Sequence, residues 1–170
     1  MTSTILYGGL LIGATAVIQS TVLRFTEIAG VAPDLVLIIV VFIANKNGTM
    51  TGQLVGFFGG MVLDLMGLAP LGFHALIYTL IGALVGLTRG KMFVDPIFLP
   101  VVLALAGQVL KSVCALVISA VFALESVHSH IFSTRFLVEI IYTGLLGPVV
   151  FALLGMTRRL QPDRRRGEII

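Results

Sequence analysis

Asp64 closes a stripe of small residues, Gly52, Gly56, Gly60 and Asp64, that recurs at every fourth position through an otherwise apolar stretch ending at Leu68. On a helix, positions four apart share one face. An unpartnered carboxylate inside such a run would cost several kcal/mol in a membrane, so this face has to meet protein. The next apolar run carries the same design in mirror image, with His74 and Tyr78 followed by Gly82, Gly86 and Gly90. Small residues at this spacing let helix backbones approach where water gives no drive to associate. The sequence therefore predicts two close-packed helices, each bearing one ionisable group, at the centre of the chain.

The setting of this pair is a membrane. Hydrophobic residues fill 58% of the 170 positions and charged residues 11%, a balance foreign to a soluble globule of this size. A membrane helix needs about 20 mostly apolar residues, and six segments qualify: Ile5 to Leu23, Val31 to about Lys46, Thr51 to Leu68, Gly72 to Leu87, Pro96 to Leu124, and Phe136 to Met156. The expected fold is all-α, a polytopic domain over residues 1–157 followed by a basic tail, 158–170. The second segment is the weak one. Its clean apolar core, Leu35 to Ala44, reaches only about 15 Å, so it must borrow its flanks or be sheltered by neighbours. The fifth is too long for a hydrocarbon layer of about 30 Å and should tilt, project, or bend near Gly107. With no Lys or Arg before the first apolar segment, that segment reads as a retained span instead of a signal peptide. Cys114, the single cysteine, excludes an internal disulfide and cysteine-based metal binding.

Orientation follows from the basic residues. With both termini cytoplasmic, eight basic residues lie inside (Lys46, Arg89, Lys91, Arg158, Arg159, Arg164, Arg165, Arg166), two lie outside (Arg24, Arg135), and Lys111 is left in the bilayer. The basic pI is thus mostly topology, and the arginine-rich tail fixes orientation and touches anionic lipid; no nucleic acid is needed to explain it.

Counting from each outer end at about 1.5 Å per residue places Asp34, Asp64, His74 and Glu139, from four different spans, in one outer polar layer. Lys111 sits deeper, midway along the fifth span. Such a layer can bind a solute, receive a partner's polar groups, or hold the helices together. Asp34 follows Pro33 at a helix start, where a carboxylate meets free backbone donors and the positive end of the dipole. Glu139 has Arg135 one turn earlier as a neighbour. For Asp64 and His74, a structural hydrogen bond between adjacent helices competes with a direct functional role. Lys111 either snorkels toward water or is held by carbonyls or an acid of another span, Asp64 being the nearest obvious one. The helix-packing positions are Gly52, Gly56, Gly60, Gly82 and Gly86.

No enzyme signature stands out: there is no nucleophile and base at usable spacing, no phosphate-cradling glycine loop, and no metal-ligand cluster. His128 and His130 flank Ser129 in a short outer loop and read as solvated. No catalytic residue, metal or cofactor is expected.

The stretch from Ala32 to Gly86, with APDLVLIIVVF, GQLVGFFGGMVLDLMG and PLGFHALIYTLIGALVG, resembles the rod-shape-determining protein MreD family. The resemblance implies a non-enzymatic part of the bacterial elongation machinery in the inner membrane. Its partner would be chiefly MreC, with the MreB filament, the glycosyltransferase RodA and a class B penicillin-binding protein in the same system. Such proteins also resemble in fold the substrate-binding subunits of energy-coupling-factor vitamin transporters, which supplies a rival reading: a solute-binding membrane subunit with the outer polar layer as its pocket. The short loops three to four and five to six favour the scaffold.

Overall fold

The computed structural model describes residues 2–21, 30–67, 70–90, 98–121 and 134–157. These residues form six helices: α1 (Thr2–Thr21), α2 (Leu35–Asn47), α3 (Thr49–Met66), α4 (Phe73–Gly86), α5 (Phe98–Val121) and α6 (Thr134–Gly155). Two stretches, Phe98–Val121 and Phe136–Gly155, are long and apolar enough to cross a membrane by length and composition.

α2 is the hub. It touches every other helix, and Val36 through Asn45 are all buried. A helix that is apolar on all sides belongs inside other protein, which is how so short an element, about 20 Å at 13 residues, is accommodated: its neighbours shelter it on every side. It begins at Leu35, with Asp34 as N-cap and Pro33 one residue outside the helix. It ends against Gly48, the single residue between α2 and α3. Gly48 has φ +91°, a conformation open chiefly to glycine. The turn is closed by Gly48 N donating to Ala44 O (2.8 Å) and by the Arg89 guanidinium donating to Asn47 O (2.9 Å).

α3 and α4 form the most extensive helix pair in the fold. A Cβ added at Gly52 would lie 2.5 Å from Gly82 O, and one at Gly56, Gly60, Gly82 or Gly86 would fall inside the facing backbone at Tyr78, His74–Ala75, Gly52 or Gly48–Thr49. The two backbones are therefore in direct contact along the seam. Gly90 is not part of it: α4 ends at Gly86, and Gly90 lies in the following turn at φ +71° with open space around it. α5 is helical without interruption through Gly107, whose missing side chain lets it cross close to Val41 and Leu37 of α2. Gly144 and Gly147 of α6 perform the same service against Leu105, Ala104 and Pro100 of α5.

The outward faces are as apolar as the core. Leu137, Ile141, Leu145, Val149 and Leu153 of α6, and Val102, Val109, Val113 and Val117 of α5, are exposed, while Asp34 and Asp64 are buried.

Candidate functional site

Two polar knots occupy one end of the bundle. The first is built on Asp34. As the N-cap of α2 its Oδ1 accepts from Leu37 N (2.9 Å), satisfying one of the free amides of the first turn. Its Oδ2 accepts from Tyr78 OH of α4 (2.5 Å) and from Lys111 Nζ of α5 (2.6 Å). Its backbone N–H donates to Thr143 Oγ1 of α6 (3.1 Å). Lys111 makes a second ion pair, to Glu139 Oε1 of α6 (2.8 Å). The Asp34 carboxylate thus joins α2, α4 and α5, its backbone amide reaches α6, and the lysine bridges it to a second carboxylate. A buried charge is tolerable only when paired and hydrogen-bonded in this way.

The second knot is Asp64, whose side chain is fully buried. α4 starts at Gly72, which has φ +95° and no side chain with which to cap the helix. Asp64 supplies the cap from α3. Its Oδ2 accepts from Gly72 N (2.9 Å) and Ala75 N (3.1 Å), and its Oδ1 from His74 N (2.9 Å) and His74 Nδ1 (2.8 Å). Four donors saturate both oxygens, and the carboxylate lies at the positive end of the α4 dipole. With Nδ1 donating to Asp64, a neutral His74 ring leaves Nε2 as an acceptor. The imidazole stacks on Tyr78 (centroids 6.3 Å apart, planes at 26°), and Tyr78 in turn reaches Asp34, so the two knots are neighbours.

The structure brings Asp34, Lys111 and Glu139 together, and separately Asp64 and His74. It does not join Lys111 to Asp64, the nearest candidate among the alternatives the sequence left open. α5 packs on α2, α4 and α6 but makes no contact with α3, and Asp64 has no oxygen to spare. Glu139 pairs with Lys111; the Arg135 side chain, His128, His130 and the arginine tail lie outside the described residues. Sequence reasoning missed two side chains and the backbone amides at the start of α4. Tyr78 was visible four residues after His74 on the glycine stripe, and Thr143 four residues after Glu139. The backbone amides of Gly72 and Ala75 were signalled only by a helix start lacking a capping side chain.

Beside the knots lies a cavity of about 330 Å³, open between the end of α1, the start of α2, the end of α3, the start of α4 and the middle of α5. Gln19, Asp34, His74, Tyr78 and Lys111 provide its polar wall.

Charged residues spent on joining helices, beneath an apolar exterior, define a helical membrane-associated protein whose polar chemistry serves cohesion between its own elements. The chain belongs to the MreD family: the family model described as rod shape-determining protein MreD matches residues 2–157. Neither the curated proteins nor the solved structures contain a significant match, so the likeness to energy-coupling-factor subunits has no matching structure behind it. Rod shape determination is the role this family carries.

Proposed function

We propose that the protein is a non-enzymatic, six-span scaffold of the cell-elongation machinery in the bacterial inner membrane, with both termini cytoplasmic. In this reading residues 1–157 are the membrane domain and 158–170 a basic cytoplasmic tail. It receives MreC as its main partner and couples MreB filaments, RodA and a class B penicillin-binding protein to lateral wall synthesis. The observation that carries the reading is the inverted surface: in a chain matched to the family from residue 2 to residue 157, the exposed faces of α5 and α6 are apolar and the ionisable groups of the polar layer are held by partners inside. Apolar exteriors with inward-facing charges suit lipid as solvent.

Depleting the protein in its host tests the function. Rods are expected to become round, and MreC to be lost from co-purification with its partners; rods of unchanged shape would contradict the proposal. A reporter active only in the periplasm, fused to the C-terminus, is expected to stay silent; a strong signal would overturn the six-span topology.

A further inference from the structure

The cavity of about 330 Å³ is an open cleft between the helices, with room for several waters. Its wall has a definite chemistry. Among the described residues the Asp34–Lys111–Glu139 triad sets two carboxylates against one ammonium, a net single negative charge. Asp64 stands apart from this triad, with both oxygens taken by the amides that start α4 and by His74. The groups lining the space are rich in acceptors: Tyr78 spends its proton on Asp34 and keeps its oxygen lone pairs, and His74, with Nδ1 engaged by Asp64, has Nε2 to offer. Gln19 also lines the cavity, and its carbonyl oxygen is buried without a hydrogen-bond partner. A buried unpaired acceptor is costly, and rotation of the amide is free to offer either end to a ligand. The stacked Tyr78 and His74 rings add an aromatic surface of the kind that attracts cations.

We propose that this cavity binds a primary ammonium group, R–NH₃⁺. Three N–H donors answer the acceptors, and one positive charge offsets the excess of the triad. The volume leaves room for a short linker, and Lys111, which spends two of its three N–H donors on carboxylates, has one left for an anionic group beyond that linker. Such a group reaches the cavity either as the headgroup of an aminophospholipid or as a small soluble amine. That the cavity faces the outer leaflet rests on the topology proposed above; the ligand selectivity does not.

The test uses the full chain in dodecyl maltoside micelles, with bound lipid read by native mass spectrometry. Short-chain phosphatidylethanolamine is compared with phosphatidylcholine of the same chains, which keeps the charge and loses every N–H donor. The wild type is expected to prefer the ethanolamine lipid at least about tenfold, the worth of a hydrogen bond to a charged group. Gln19→Leu removes the unpaired amide, and Ala32→Leu fills the space from another lining position without touching the polar network. Both proteins are expected to fold, and both to lose the preference. Displacement of the lipid by millimolar ethanolamine would make a soluble amine the natural ligand, and resistance to it would make the lipid so; the ammonium site stands in both cases. Equal binding of the two lipids by the wild type, or a preference that survives both substitutions, overturns the proposal.

Discussion

The α3/α4 seam and the Asp34–Lys111–Glu139 triad hold the same bundle by opposite means. The seam joins helices adjacent in sequence through shape: glycines at positions 52, 56, 60, 82 and 86 bring backbone against backbone, and Asp64 closes the end by capping α4 across the gap. The triad works through charge, joining Asp34 of α2 to the distant Lys111 of α5 across 77 positions and Lys111 to Glu139 of the following helix across 28. Shape complementarity is available wherever two helices can be set in register by a short turn. Helices brought together late, with apolar faces indistinguishable from lipid, need a directional bond to specify which neighbour is correct. The seam is therefore expected to tolerate loss of its polar group better than loss of a glycine, whereas the triad depends on its charges.

The largest effect is expected from Lys111→Met, which leaves the buried Asp34 and the half-buried Glu139 without a counter-charge. A loss of about 3–5 kcal/mol of stability is predicted, read by unfolding in micelles. Much of it is expected to return when Asp34→Asn and Glu139→Gln are added, because the cost lies in the unpaired charge. Next, Gly56→Leu forces a side chain into the Tyr78 backbone and is expected to cost about 3 kcal/mol, the upper end of overpacking. Phe57→Leu, at an exposed neighbour, is expected to leave membrane abundance unchanged; equal loss at both sites would break the seam account. Asp64→Leu strips the α4 start of its acceptor and is predicted to cost about 1–3 kcal/mol, with Asp64→Asn costing less. In a strain depleted of the protein, that gradation should appear in both abundance and cell shape. Equal inactivity of the two variants at normal abundance would instead assign Asp64 a charge-dependent role. The smallest effect is Thr143→Val, about 0.6 kcal/mol, typical of one polar contact between membrane helices.

How much of this could be read from the residues depended on range. The six helices and the stripe from Gly52 to Asp64 were legible because both are periodic features of contiguous sequence. The sheltering of α2 followed from a core too short to stand alone. The partner of Lys111 was not legible. Three carboxylates lay within the span of depths that a lysine stem can reach, and choosing Asp64 over Asp34 required knowing that α5 avoids α3. Asp34 was correctly read as a helix-start residue, but an N-cap uses one oxygen and leaves the other for Tyr78 and Lys111. The role of Gly107 was not legible for a related reason: a close crossing with Val41 and Leu37 of α2 depends on where α2 lies.

The division into two independent knots is most directly tested by two double-mutant cycles on unfolding in micelles, one on Asp34→Asn with Lys111→Met and the other on Asp64→Asn with Lys111→Met. The account predicts a coupling of about 1–3 kcal/mol for the first pair and additivity within about 0.5 kcal/mol for the second. Strong coupling between positions 64 and 111, with additivity between 34 and 111, would contradict it.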